Sequence, residues 1–389
     1  MKKILLIFLI FILFASAAYA RDYSVRLFSL EKKINSIKIN TVGAPHVVPL
    51  QYNIPITVNR DIIFTVNGKT KQIYCKSVCI KKDCVIITTD IENLTSAVTL
   101  SEVHAYNLPE YIKAQAVCAR SYIMSASGKH KKEGYDFCDS TCCQLINGKP
   151  MRADLVQIIK STAGECLYGK KGTDTFFKGG PKRPSATGFK KGVCPLFPIP
   201  AFYHSTCGGV TAECEDVFLK PVNGIVSIKD TISTRKKDLC AYSPHYRWEF
   251  VISSDKLKNI LNARRGTTCG APTDVGNYLS DIQTPVIKNG RVKKIKFLGQ
   301  NVKTISGYDF YLLMGNKLGW GCIESTFFTV RKICRDRTLS CPYFIFTGRG
   351  LGHGIGLCQY GAFKMAQLGY GYKKILKHYF PLAEIRNRG

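Results

Sequence analysis

The chain has 389 residues, 45% of them hydrophobic, and a formal charge of +29 from 56 Lys and Arg against 27 Asp and Glu. That apolar content excludes a disordered chain, and the basic surplus, spread without one dominant tail, implies attraction to polyanions over an extended surface. No zinc-finger, helix-turn-helix or RNA-recognition signature accompanies the charge, so anionic envelope polymers or membrane surfaces are expected as partners and nucleic acid is not.

In chain order, Met1 to Ala20 pairs Lys2 and Lys3 with an apolar run from Ile4 and the small-residue positions Ala18-Tyr19-Ala20. This is the pattern of a secretory signal, which directs the protein to the periplasm or cell envelope, with membrane association only if the signal stays uncleaved. The remaining stretch of about 370 residues exceeds what one hydrophobic core usually supports, so two domains, or one with a large insertion, are expected. All 17 cysteines follow the signal. In an oxidising compartment some should form disulfides, with Cys75/Cys79/Cys84, Cys138/Cys142/Cys143, Cys207/Cys214 and Cys334/Cys341 as the close groups.

Residues 21–92 read as a β-rich scaffold, with short alternating runs at Tyr23, Ile37, Ile62 and Val85 and a hairpin turn at Asn67-Gly68. The next stretch, from Asn93 to Ser127, is the centre of the reading. Its second half predicts a helix: Asn107 as cap, Pro109 in the first turn, and Ile112, Ala116, Ala119, Ile123 and Ala126 at helical spacing. Lys113, Val117, Arg120 and Met124 form a second stripe that places two cations two turns apart. Glu102 precedes this helix by a short connection and is expected to fold back over its first turn, near Lys113. Taken alone it would be an ordinary solvated carboxylate.

Past the helix, Cys138 and Cys143, with Cys142 or His130 nearby, have spacing that a zinc ion accepts. In an exported chain a disulfide is the preferred account, so zinc is a secondary expectation and no cofactor is required. The lysine-rich run from Gly169 to Val193 reads as a long exposed loop. Tyr203-His204-Ser205-Thr206-Cys207-Gly208-Gly209 reads as a strand entering a Gly-Gly bend, and residues 246–339 hold further strands and a short helix over Asp255 to Asn262. Glycines at 348, 350, 352, 354 and 356 alternate with Arg349, His353 and Ile355. A strand so bare on one face suits a flat polymer, or another backbone, lying against it.

Taken together, Ser101-Glu102 with Pro109 to Arg120, Cys138 to Gln144, Tyr203 to Gly209 with Glu215-Asp216, Ser243 to Glu249, and Gly350 to Gly361 resemble the stage II sporulation protein D family, which includes amidase-enhancer proteins. The resemblance implies a lytic transglycosylase that cleaves peptidoglycan glycan strands after an amidase has removed the stem peptides. It implies Glu102 as the catalytic acid, and Lys113, Arg120, Tyr203, His204, Ser205, His353, Gln359 and Tyr360 as substrate-binding residues. For this chemistry Glu102 must carry a proton near neutral pH, and Lys113 and Arg120 are expected to hold substrate carboxylates at some distance from it. A non-catalytic wall-binding amidase enhancer is the alternative, and an anion-binding adhesin is a third. Cys142 stands where relatives have a His, and Cys207 and Cys358 where they have Ser or another small residue.

The expected fold is α+β: β-rich, with a central helix carrying the active site and a β-containing insertion or second domain. The expected divisions are a signal at 1–20, a scaffold at 21–92, a catalytic core at 93–245 and 340–389, and the insertion at 246–339.

Overall fold

A computed structural model describes residues 21–387, except 32, 43, 48–52, 82–83, 104–106, 149, 151, 171–195, 219–220, 223, 234–236, 264–273 and 334–341. The signal stretch, the connection at 104–106, most of the lysine-rich loop, and Cys334 and Cys341 therefore lie outside the described residues. No described helix is long and apolar enough to cross a membrane.

The fold is α+β, and the chain divides into two compact units. The first is residues 1–201 with 370–375 and 383–389, and the second is 202–369 with 376–382. The boundary at 201/202 assigns Glu102 to the first unit and the Tyr203–Gly209 and Gly350–Gly361 motifs to the second, where the sequence reading grouped 93–245 with 340–389.

The first unit opens with β1 (Tyr23–Leu27), β2 (Ile37–Thr41), β3 (Ala44–Val47), β4 (Ile56–Val66), β5 (Lys69–Lys81) and β6 (Cys84–Thr89). Asn67 and Gly68, both at positive φ, make the tight β4–β5 turn that the sequence predicts. Ile62, Phe64 and Val66 alternate inward along β4 and are fully buried. Helix α1 (Ile91–Glu102) follows, capped by Asp90, whose carboxylate accepts from the Glu92 and Asn93 N–H groups. The sequence reading did not separate this helix from the next, although Asp90 followed by Ile91, Leu94 and Val98 is its signature.

Helix α2 (Pro109–Ala126) starts at Leu108 with no side-chain cap, so Asn107 is not the cap. The first of its stripes is buried, with Ile112, Ala116 and Ala119 inside, and on the second Val117 and Arg120 are buried while Lys113 and Met124 are half-buried. Strand β7 (Phe137–Cys138) runs parallel to β1 and completes a seven-stranded sheet in the order β3-β2-β4-β5-β6-β1-β7. Helix α3 (Ala153–Lys160), β8 (Glu165–Lys170) and β9 (Leu196–Pro198) follow, and β8 pairs on its other side with a strand near the C-terminus.

The second unit begins with β10 (Tyr203–His204), α4 (Cys214–Phe218), β11 (Trp248–Ser253), α5 (Ser254–Asn262), β12 (Leu279–Lys288), β13 (Arg291–Gly299), β14 (Lys303–Ser306) and α6 (Gly307–Leu318). It continues with β15 (Phe328–Ile333), β16 (Tyr343–Gly348), β17 (Leu357–Cys358) and α7 (Gln359–Gln367). Its core is aromatic: Phe297, Phe310, Phe328, Phe344 and Phe346 pack with Trp248 and the apolar face of α5. The region expected as an insertion thus shares one core with β16. Helix α8 (Tyr372–Tyr379) and β18 (Glu384–Asn387), the partner of β8, close the chain.

Residues 349–356 do not form the bare strand that the alternating glycines suggest. Strand β16 stops at Gly348, and Gly350, Gly352, Gly354 and Gly356 all take the left-handed conformation. The bare face is filled by the protein itself. A side chain at Gly348 would lie 2.1 Å from the Trp248 indole, and one at Gly354 would lie 2.4 Å from the Arg291 guanidinium.

Candidate functional site

In the first unit the site is built on a loop strapped to the large sheet. The buried Asp139 accepts from the Phe28 N–H at 2.6 Å, the Ser29 N–H at 2.9 Å and the Lys71 ammonium at 2.6 Å, fixing the 139–147 segment to β1 and β5. Gln72 N–H donates to the Gly148 carbonyl at 2.8 Å, an approach so close that a Cβ at Gly148 would sit 2.4 Å from Lys71 Cβ. The far side of this loop holds the end of α1. Leu145 N–H donates to Glu102 Oε1 at 2.9 Å, and Asn147 N–H donates to Ser101 Oγ at 2.8 Å. Glu102 is therefore the last residue of its own helix, half-buried and fixed by the segment that follows Cys143-Gln144. A helix C-terminus is the end at which a negative charge is disfavoured.

The two cations assigned to this site do other work. Lys113 pairs with Glu110 at 2.7 Å and lies over the Tyr372 ring, and no contact joins it to Glu102 among those described. Arg120 is completely buried. Its Nε and Nη2 donate to Glu92 Oε1 and Oε2 at 2.9 and 2.7 Å, and Nη1 donates to the Glu165 carbonyl at 3.1 Å. A guanidinium with no exposed surface cannot hold a substrate carboxylate, so Arg120 is a structural residue joining α1, α2 and β8. The sequence pattern hid this because Glu92 is 28 residues away.

Beside the loop, His130, Cys138, Cys142 and Cys143 bring their ligand atoms within 4.8 Å of one another. His130 Nε2 is 3.7 Å from Cys142 Sγ, and its Nδ1 is 3.0 Å from Glu133 Oε1, a carboxylate that orients the ring. Hydrogen bonds from Cys142 and Cys143 hold the Cys138 thiol well below the ordinary thiol range. Three thiols and one oriented imidazole fit tetrahedral zinc. The disulfides preferred from the sequence are not found among the described residues, where these cysteines and Cys75, Cys79, Cys207 and Cys214 are free thiols.

In the second unit two distant motifs pair directly: Tyr203 faces Leu357 and His204 faces Cys358 in a parallel register. Ser205 O accepts from the Tyr360 N–H at 3.1 Å, and Thr206 Oγ1 lies 2.7 Å from Ser243 Oγ. His204 and His353 stand with ring centroids 5.6 Å apart, flanked by Phe202 and Phe218. His204 Nδ1 donates to the Ile355 carbonyl at 3.1 Å, and His353 Nδ1 accepts the Ile355 N–H at 3.0 Å. Burial drives both imidazoles toward the neutral form: His353 is pushed down to about 4, with Arg291 adding to the effect, and His204 falls well below its ordinary value. Tyr203, Ser205, His353 and Tyr360 keep partial exposure, whereas His204 and Gln359 are buried. The sequence reading missed Tyr242, whose ring packs tilted against that of Tyr360 with centroids 5.3 Å apart and whose hydroxyl donates to the Tyr360 carbonyl. It also missed the His245–Glu324 pair at 2.9 Å.

Residues 81–168 match the stage II sporulation protein (SpoIID) family, and residues 216–356 match a domain of unknown function, DUF8618. An uncharacterized protein of Brachyspira hyodysenteriae is 27% identical over 355 residues, 88% of this chain and 78% of that protein. The stage II sporulation protein D of Bacillus subtilis is 24% identical over 302 residues, covering 76% of this chain and 74% of that protein. The amidase enhancer of the same organism is 24% identical over 310 residues, 70% of this chain but only 37% of the enhancer's length. The chain is therefore similar to the stage II sporulation protein D and amidase-enhancer proteins, in line with its motifs. Glu102 and the His130–Cys143 cluster fall within the matched SpoIID segment.

Proposed function

We propose that the chain is an exported peptidoglycan lytic transglycosylase. It would cleave the β-1,4 bond between N-acetylmuramic acid and N-acetylglucosamine in strands stripped of their stem peptides, in cell-wall remodelling or division. The observation that carries this reading is the fixed carboxyl of Glu102, held through Leu145 by a loop that is itself tied to the sheet by Asp139 and Lys71. A hydrolytic glycosidase needs two carboxyl groups, but a lytic transglycosylase needs one. The Glu102 carboxyl gives its proton to the bridging oxygen as the C1–O bond breaks. The muramyl C6 hydroxyl then bonds to C1 and returns its proton to the carboxylate. A 1,6-anhydro ring closes, a free 4-hydroxyl remains on the leaving sugar, and no water is consumed.

The charge of +29 suits this substrate, because removal of each stem peptide leaves a lactyl carboxylate on the glycan. In this reading an amidase acts upstream, and the partly exposed Tyr203, Ser205, His353 and Tyr360 contact sugar while the buried His204 and Gln359 support them. His130, Cys138, Cys142 and Cys143 would hold a structural zinc ion that pins the start of the Glu102-holding loop and takes no part in the proton transfers.

Similarity to an amidase enhancer favours one other reading, a wall-binding protein that stimulates an amidase without cutting glycan. Mass spectrometry of amidase-treated and intact wall separates them. The enzyme gives anhydromuramyl ends, more from the treated wall, and its binding to denuded strands weakens as salt rises. A binder yields no such ends from either.

A further inference from the structure

Four side chains from four separate stretches of the second unit converge in its interior: Cys207 beyond β10, Asp230, Cys240, and Cys358 at the end of β17. Their ligand atoms all lie within 4.8 Å of one another, and the Cys207 and Cys240 sulfurs are 3.5 Å apart. All four residues are at most 0% exposed. Tetrahedral zinc with Zn–S bonds of about 2.3 Å sets neighbouring sulfurs roughly 3.8 Å apart, close to the spacing seen.

Asp230 distinguishes this cluster from an unused disulfide. Its Oδ1 accepts from the Tyr379 hydroxyl at 2.6 Å and its Oδ2 from the Cys240 N–H at 3.0 Å, both uncharged donors. A buried carboxylate facing three thiols calls for a cation, and a disulfide would employ two sulfurs and leave the third thiol and the carboxylate unmatched. The surroundings are shaped to the group. Cys207 N–H donates to Cys358 Sγ at 3.3 Å, and Gly361 has no side chain where a Cβ would lie 2.4 Å from Asp230 Oδ1 and 2.1 Å from the Tyr379 hydroxyl. The Arg291 guanidinium, which donates to the Cys207 carbonyl at 2.8 Å, offsets part of the negative charge that three thiolates and a carboxylate retain around a divalent ion.

We propose that Cys207, Asp230, Cys240 and Cys358 bind a structural zinc ion, distinct from any held at His130. With four protein ligands and full burial the site is closed, so the ion does no chemistry on substrate. It binds the ends of the β10–β17 pair to Asp230 and Cys240 and thereby fixes the ribbon that carries His204 and His353.

Metal analysis of the full-length chain tests this. Wild type is expected to hold two zinc ions, a Cys138→Ser/Cys143→Ser variant one, and a Cys240→Ser/Cys358→Ser variant one fewer than wild type, with a lower melting temperature. Should the last variant not fold, the Cys138→Ser/Cys143→Ser protein carries the test: X-ray absorption finds its remaining zinc bound by three sulfurs and one oxygen. Absence of zinc from that folded variant overturns the proposal. So does a disulfide between any two of Cys207, Cys240 and Cys358 in wild type denatured without reductant.

Discussion

Among the described residues each unit buries one arginine completely or nearly so, and the two are handled differently. Arg120 is matched by Glu92 in a two-point fork and by a carbonyl, so its charge is balanced within the first unit. Arg291, 2% exposed, has no such fork. Its Nη2 donates to the Cys207 and Val210 carbonyls, its Nε and Nη1 have no hydrogen-bond partner among the described residues, and burial lowers its affinity for the proton to about 10. The groups near it that can carry negative charge are the thiols of Cys207, Cys240 and Cys358. A buried cation with its own carboxylate is self-sufficient, whereas one facing thiols depends on their state.

The largest expected effect breaks the balanced pair. Glu92→Gln leaves the Arg120 charge buried without a counter-charge and should cost ~3–5 kcal/mol of stability in urea denaturation. A cost below ~1 kcal/mol would mean that the fork does not hold the guanidinium.

Acid probes the other unit. His353 is pushed down to about 4 when folded, while an exposed imidazole titrates near 6.5, so the unfolded chain takes up the proton first. The stability that this imidazole contributes is fully present above about pH 6.5 and falls by up to ~3 kcal/mol as the pH drops through about 4. His353→Gln should flatten this slope in melting curves recorded across that range, and an unchanged slope would remove His353 as its source.

Smaller effects sharpen the contrast. Gly354→Ala meets the Arg291 guanidinium and a φ of +81°, while Gly369→Ala at +83° meets nothing within 4 Å. The first should cost ~1–3 kcal/mol more than the second in thermal melts, the difference reporting how firmly Arg291 is held. Ser101→Ala removes the acceptor of Asn147 N–H and should cost ~1 kcal/mol, with activity falling if the loop no longer fixes Glu102.

What the sequence could reveal follows from how far its signals reach along the chain. The Asn67-Gly68 hairpin, the α2 stripe and the His130–Cys143 group are local, so spacing displays them. Glu92–Arg120 and the convergence of residues 207, 230, 240 and 358 arise only when distant segments meet. The glycine ribbon misled for a related reason. Alternation at 348–356 has the period of a strand, but the residues are glycine because Trp248 and Arg291, far off in sequence, occupy the space of a side chain. Arg120 likewise has the spacing of a helix-surface cation and becomes a core residue because β8 and Glu92 close over it.

The proposed reaction rests on one carboxyl group, and Glu102→Gln tests it most directly. Digestion of denuded glycan should lose its anhydromuramyl ends by at least ~10²-fold while glycan binding and the melting temperature stay as in wild type. Undiminished anhydromuramyl ends from the Gln protein would contradict the account.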